Sequence, residues 1–583
     1  MNLKNAIVRE ADVLVVGGGL AGCYASIKAK ENGADKVIQV CKGRVGKSGQ
    51  STFAAGIMTA FCPEEENYDW AFKEVVEKAD YLVDQERLRD HLNEVWNIVR
   101  EMESFGVEFE KTKDGKFARH YGRGNIKNVM FHGPQLMEAM AKTTLKKGVV
   151  HVNKTMMTDL LTYDSRVVGA VAFNIENGDF YVFKAKATVL ATGPCWYKGL
   201  QPGHRDCTGD GYVAAYNIGN SIMGADIVER NAFPARYDIG PGMHMYVGTG
   251  AIFLNGKGER FMKKYDPVLN ERALQNILLP AFAMEVKRNN GPIYADMTHF
   301  TPEQVQRLKR VIPLPIKMYE RVGLVKGDKF VKMIEWMATA PKALCGPPVN
   351  TKFETGMPGL YACGDAVPWA GLDGGQNAMP GAATSGATTG KCAAEYANQV
   401  GVVRVDSDQV EVLRKRAFQP LEREDGVEPD QVVLGLQEAI VPYDVLLLKS
   451  DEKMQEALKE IEDIRDNQVP LLFAYDLHYL RMALEARNMV TVAEMQLRSA
   501  IARKESRLRD KAIRIDYPYR DNNNWLKWIG VKKIDNKMKV IMQDIPIERY
   551  PLKPPEGVSL DPRWQQAQEA GIVKIEQGRI IWV

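Results

Sequence analysis

The sequence predicts an α/β protein whose first unit is a doubly wound parallel sheet, and three observations in the first forty residues predict it. Residues 12–16, Asp-Val-Leu-Val-Val, are a short, largely apolar run of the kind a buried parallel strand presents. Gly17-Gly18-Gly19-Leu20-Ala21-Gly22 follows at once. Residues 20–32 then read as a helix, and Lys36 to Val40 supplies the next strand.

Each glycine in that turn has its own task. Gly17 permits the tight turn, Gly19 lets the backbone approach a pyrophosphate, and Gly22 allows helix and strand to pack closely. The first helical amides, at Leu20 and Ala21, and the helix dipole then face phosphate charge. A G-x-G-x-x-G run alone is only a glycine-rich loop; between a strand and a helix it reads as a dinucleotide-binding turn. One feature departs from that pattern. The second strand should end near an acid that binds the ribose hydroxyls, but Cys41 stands there, followed by Lys42, so another residue must make the ribose contact.

The rest of the chain is too long for one core: 583 residues predict two to four domains. Hydrophobic residues make up 45% and charged residues 26%, the balance of a soluble globular protein. The 77 basic and 74 acidic residues leave a net charge of +3, which does not point to nucleic acid or a membrane surface as the main partner. The N-terminus has no apolar core of signal-peptide length, and no run of about eighteen apolar residues occurs, so no membrane insertion is expected. The eight cysteines are scattered without a C-x-x-C pair. That argues against a disulfide framework, a metal site or an iron–sulfur cluster held by this chain, and fits a reducing, cytoplasmic location.

Further segments fall in one order. Residues 46–56, Gly-Lys-Ser-Gly-Gln-Ser-Thr-Phe-Ala-Ala-Gly, resemble a loop that passes a flavin ring; Ser48, Gly49, Ser51 and Thr52 are its candidate contacts. Val189-Leu190-Ala191-Thr192-Gly193 resembles the strand that returns to the nucleotide, and Thr208-Gly209-Asp210-Gly211 opens a helix. Gly256 to Met262, then Gly359 to Ala366 with Gly364-Asp365, and finally Arg503 to Arg507 and Asp516 to Lys527 complete the set. Together they resemble the flavoprotein subunits of succinate dehydrogenase, fumarate reductase, L-aspartate oxidase and adenylylsulfate reductase, over nearly the whole chain.

The resemblance implies FAD as cofactor, with Asp365 on the ribityl chain and Asp210 and Asn377 among its contacts. It implies an FAD-binding Rossmann-like domain in two parts, residues 1–230 and 346–404, with an α+β capping domain at 231–345 inserted between them. A helical domain at 405–515 and a tail at 516–583 follow. The helical reading has its own support: Glu452 to Arg465 is charged and helix-favouring, and Leu480 to Arg509 has no Gly or Pro.

Against that background the departures are informative. Many relatives attach FAD to the histidine of a Ser-His-Thr loop; here Gln50-Ser51-Thr52 has none, which implies non-covalent FAD. The dicarboxylate relatives hold substrate with a His-Pro-Thr-Gly histidine, a His-Tyr-Thr-Met-Gly-Gly histidine and arginines. The matching stretches here are Asn231 to Tyr237, Pro341 to Gly346 and Leu372 to Asn377, and none carries those groups. The proton-donating arginine is matched by Gln275, with Arg272 nearby. Two carboxylates need fixed cationic donors to offset desolvation, so succinate or fumarate is not the expected substrate. Phe233-Pro234-Ala235-Arg236-Tyr237 and Val129 to Pro134 instead resemble segments of the adenylylsulfate reductase alpha subunit, where the former contributes an active-site arginine.

The candidate catalytic residues are therefore Arg236, His244 and His132. Arg236 can bind an anionic substrate and stabilise developing charge; the bland alternative is a surface arginine or an ion pair with Asp238. His244, in a glycine-rich stretch read as a loop, and His132 can donate a proton near neutral pH, or serve as structural histidines. His204-Arg205 is a phosphate or surface contact, and Trp369 a stacking or merely packed aromatic. Several functions stay open. The first is the flavin subunit of a reductase with a ferredoxin-like iron–sulfur partner and a small anionic substrate, adenylylsulfate being the best named. The others are reduction of an unsaturated acid or thioester, a stand-alone oxidase, and a non-catalytic electron relay.

Overall fold

Strand Ala6–Val16 is longer than its apolar run because its first half pairs along the sheet as Ala6↔Phe180 through Ala11↔Ala185. In the computed structural model, which describes residues 6–583 apart from 55, 122–124, 201–202, 238–242 and 369–377, this strand lies mid-sheet. It runs parallel to Val37–Val40 on one side and Phe180–Leu190 on the other. Val150–Val152 adds to Val37–Val40, and Leu360–Ala362 adds to the end of Phe180–Leu190, both parallel. The start of Phe180–Leu190 pairs instead with Arg166–Asn174, and that with Thr155–Tyr163, as an antiparallel ribbon. Seven strands result, with the carboxyl ends of the central parallel strands converging on the glycine turn. Helix Leu20–Glu31 packs on helix Ala378–Gln399, where a Cβ on Gly386 or Gly390 would meet the carbonyl oxygen of Ala21 or Ala25 at 2.4 and 2.2 Å. The two separated halves of the FAD domain are thereby locked together.

The cap has its own antiparallel sheet, Ala232–Pro234, Ile334–Ala338, Ile293–Asp296 and Ile252–Leu254, covered by helices Gln275–Lys287, Pro302–Val311 and Pro313–Arg321. Its core is aromatic: Phe253 packs edge-on against Phe282 and Trp336, and Tyr246 against Tyr319 and Trp336. The cap joins the FAD domain through one two-stranded connection. Val228 and Glu229 pair with Ala343 and Lys342, and further along Ala232 to Pro234 pair with Ala338 to Trp336. Arg230, fully buried between these pairs, donates to the carbonyls of Thr339, Ile440, Val441 and Leu446 and so pins the seam to the helical domain.

Helices Ser407–Phe418, Pro429–Ile440, Asp451–Asp463 and Leu477–Ala502 form the helical domain. The last stops at Ala502, whereas the sequence pattern extends it to Arg509. The residues beyond are buried arginines whose partners lie in different directions. Arg503 meets Asp226 and Glu505, Arg507 meets Glu505, and Arg509 meets Glu229. One helical face cannot serve them all, and the helix ends with Arg503 in an extended conformation. The tail carries secondary structure of its own. Hairpin Lys527–Ile534 and Lys537–Asp544 adds to Ile222–Met223 of the FAD domain, and helix Pro562–Glu569 buries Trp564 in the cap core. No helix among the described residues is long and apolar enough to cross a membrane.

Candidate functional site

A cleft at the carboxyl ends of the parallel strands holds about 990 Å³ of space and opens to solvent. Gly17, Gly19, Leu20, Ala21, Lys42, Ser48, Gly49, Ser51, Ala191, Thr192, Gly193, Asp210, Gly364 and Asp365 all line it. The structure thus brings together fourteen of the seventeen cofactor candidates from five separate stretches of chain. Of the others, Gly22 lies behind the turn, Thr52 is buried with its hydroxyl donating to the Ser48 carbonyl, and Asn377 falls outside the described residues.

The cleft fits a dinucleotide on backbone grounds. A Cβ at Gly17, whose φ is +129°, would sit 2.1 Å from the Ala191 carbonyl oxygen, and one at Gly22 2.2 Å from that of Gly17. Both approaches exclude any side chain. Gly19 caps helix Leu20–Glu31 without a side chain of its own, and the helix N-terminus faces the cleft with the Leu20 amide donating to Ser51 Oγ at 3.3 Å. The Thr192 hydroxyl on the cleft wall is buried without a protein partner among the described residues, the kind of orphan a ligand satisfies.

Where an acid was expected, the Cys41 thiol is buried, which pushes its pKa up. The adjacent Lys42 turns back to donate to Thr208 Oγ1 at 2.8 Å, Asp210 Oδ2 at 2.8 Å and Glu485 Oε1 at 2.7 Å. Burial alone opposes its charge, but the two carboxylates outweigh that and raise its pKa. Glu485, wholly buried, would likewise be raised by desolvation; Lys42, Lys198 and Arg481 hold it down at about 2. Asp210 is thereby committed to Lys42, with Thr208 and Asn488 on its other oxygen.

Asp365, the acid assigned to the ribityl chain, accepts on Oδ2 from Gln50 Nε2 at 2.7 Å and from Lys342 Nζ at 2.9 Å. Gln50 in turn accepts from the Trp196 indole at 3.1 Å, and the Lys342 amine lies 5.3 Å from the Trp196 ring. His204, left ambiguous from sequence, stands edge-on to Trp196 at 4.4 Å. Lys342 is buried, and burial works against its charge, yet Asp365 and Glu229 keep it protonated. Sequence reasoning misses Lys342, Gln50 and Trp196 as site residues. The only available signal is a lysine in the apolar run from Ala338 to Cys345, where a charge is expected to be paired.

The catalytic candidates lie elsewhere. Arg236 follows the cap strand Ala232–Pro234, has 75% of its side chain exposed and pairs with Glu335 at 3.1 Å; Asp238 is outside the described residues. His244 stands on helix Met243–Thr249 and not in a loop, because Met243, Tyr246 and Val247 recur at helical spacing and bury one face in the cap core. His132 is exposed at the start of helix Gly133–Lys146, beside a smaller cleft formed with Phe53 and the cap residues Pro313 and Pro315. None of the three lines the large cleft. Trp369 is outside the described residues. At the clamp positions, Phe233 is buried, Gln275 accepts from Lys511 at 2.7 Å, and Arg272 is exposed.

Comparison with known proteins agrees with this geometry. Residues 12–383 match the family described as FAD binding domain, and residues 436–558 match fumarate reductase flavoprotein C-term. A fumarate reductase (CoM/CoB) polypeptide of Methanothermobacter marburgensis is 27% identical over 542 residues, covering 87% of this chain and 95% of that protein. Among solved structures, the E. coli quinol fumarate reductase superposes with a TM-score of 0.83 at 22% identity, covering 94% of this chain and 98% of that one. Adenylylsulfate reductase of Archaeoglobus fulgidus superposes at 0.74, also with 22% identity, covering 93% and 96%.

Proposed function

Because the chain belongs to the succinate dehydrogenase/fumarate reductase flavoprotein family of FAD-dependent oxidoreductases, we propose that it is the flavin subunit of a reductase acting on an anionic substrate other than fumarate or succinate. Adenylylsulfate reduction to sulfite and AMP is the best named reaction, and a separate iron–sulfur protein supplies the electrons. The relatives' names include fumarate reductase and adenylylsulfate reductase, and the choice between them rests on one observation. The groups that would clamp two carboxylates are absent, and the residues at or beside their positions are otherwise engaged: Phe233 is packed in the core, Gln275 is bound to Lys511, and Lys342, next to the Pro341 that matches the second histidine, is bound to Asp365.

Bound FAD supplies the two-electron chemistry. The chain's own residues would hold it: the helix N-terminus at Gly19 and Leu20 would face the pyrophosphate and Asp365 the ribityl chain, and the Gln50-Ser51-Thr52 loop has no histidine to attach the flavin. Arg236, exposed just beyond the cap strand and paired with Glu335, is the cation assigned to an anionic substrate, with His244 and His132 as proton donors on the cap and FAD sides. For adenylylsulfate the balance is simple. Two electrons enter, the sulfur–oxygen bond to the AMP phosphate breaks, the bonding pair stays on the phosphate oxygen, and sulfite leaves with the added pair.

The test is anaerobic. Flavin reduced with dithionite is mixed with adenylylsulfate or fumarate while the flavin absorbance is followed. Reoxidation by adenylylsulfate alone is the expected result; reoxidation by fumarate overturns the reading.

A further inference from the structure

Where the cap joins the FAD domain, five charged side chains face one another out of water. Lys342 donates to Asp365 at 2.9 Å, while Lys511 and Arg509 meet Glu229 at 2.7 and 3.1 Å. Lys342 and Glu229 are cross-strand partners, so their side chains leave the same face of the ladder. All five are buried. Among the described residues the Cys207 thiol, which burial keeps protonated, also stands near Lys342, and the buried Asp510, which accepts from Val228 N, is matched by Lys449. Three cations thus stand against two carboxylates, and Arg509 Nη2 has no hydrogen-bond partner among the described residues. Glu229, which burial alone would raise, is held at about 2 by Lys511, Arg509 and Lys342. Lys511 is lowered by burial and by repulsion from Lys342 and Arg509, against the pull of Glu229. A buried surplus of positive charge is unfavourable unless an anion stands near it.

The surplus is directed at the cofactor cleft by two routes. Lys342 is bonded to Asp365, and it lies over Trp196, whose indole is bonded to Gln50; Asp365 and Gln50 both line the cleft. The cofactor is the group there whose charge changes in turnover. When FAD takes up two electrons and one proton, its ring gains one negative charge.

We propose that the cluster of Lys342, Lys511 and Arg509 around Glu229 is a charge-compensating device for reduced FAD, in which Lys342, as a positioning residue acting through Asp365 and Gln50, favours the singly protonated, anionic reduced form. The device needs bound FAD alone and holds whatever the substrate is.

Opposite signs test it. Midpoint potentials of the FAD-loaded full chain are measured by spectroelectrochemistry, and their pH dependence gives the protons taken up per two electrons. K342M is expected to lower the preference for reduced over oxidised flavin at least about tenfold, about 30 mV for a two-electron couple, and to move proton uptake from one toward two. K342R retains the parent behaviour. K511M shifts the preference the same way by about threefold, and E229Q shifts it by about threefold in favour of reduced flavin, since each lies one contact further away. If K342M does not retain FAD, K511M and E229Q, which do not touch the cleft, carry the test. Potentials within twofold of the parent in every variant, or a fall in E229Q as well, overturn the proposal.

Discussion

The cofactor cleft and the cap-side seam are built by different means. The cleft is largely backbone: glycines at closest approach, a glycine-capped helix N-terminus and strand ends fixed by a parallel register. The seam is side chains: Lys342, Glu229, Arg509, Lys511 and Gln275 come from four distant stretches and meet only after folding. A backbone site tolerates almost no change at a few positions, whereas a side-chain site can be re-equipped residue by residue on the same frame. That difference would let a chain keep the FAD fold of its relatives while its substrate side changes, as proposed above.

The sharpest way to break the comparison is at Gly17. G17A places a Cβ 2.1 Å from the Ala191 carbonyl oxygen in a left-handed backbone region, and a strain of about 3 kcal/mol or more predicts at least a hundredfold loss of FAD affinity. Purified protein with a full flavin spectrum would show that the turn is not backbone-limited.

E485Q comes next and probes where the two kinds of site meet. It leaves Lys42, Lys198 and Arg481 without their shared carboxylate, an expected destabilisation of about 3 kcal/mol at pH 7. The Glu485 carboxyl titrates at about 2 in the fold against 4.5 normally. Its contribution is therefore complete above pH 4.5 and lost as pH falls toward 2. Urea melts should show the gap between parent and variant narrowing over that interval, and a constant gap argues against the ion-pair account.

On the cap side, R236A is expected to lower kcat/KM by about a hundredfold, some 2.7 kcal/mol. Its stability should change by less than about 1 kcal/mol, because the pair with Glu335 is exposed. E335Q serves as the control and should stay within a few-fold of parent activity. A thermal shift in R236A without a kinetic one would return Arg236 to the surface-arginine reading.

The smallest effect belongs to His91, buried against Thr384 at 2.9 Å and pushed down to about 4 by burial. Its neutral form contributes stability that is complete above pH 6.5 and is lost as pH falls toward 4. H91N should flatten that part of the stability profile and leave the flavin spectrum unchanged.

How far the sequence can be read follows the same division. Local spacing specifies Gly17, Gly19 and Gly22, the first strand and helix, and the end of the return strand at Val189 and Leu190 that delivers Ala191 to Gly193 to the cleft, because each is decided within a few residues. The Arg503–Arg509 segment reads as helix because nothing local says that Arg503, Arg507 and Arg509 must reach Asp226, Glu505 and Glu229. Lys342 escapes notice for the same reason, its meaning residing in Asp365 and Glu229. His244 reads as loop from neighbouring glycines, although Met243, Tyr246 and Val247 bury a helical face.

The central claim, an intact FAD site beside a re-equipped substrate side, is tested most directly by binding without turnover. Oxidised holoprotein is titrated with AMP, sulfite, succinate and malonate, and flavin difference spectra are recorded. The account predicts saturable perturbation by AMP or sulfite that R236A abolishes, and none from either dicarboxylate. Saturable binding of succinate or malonate, unaffected by R236A, would contradict it.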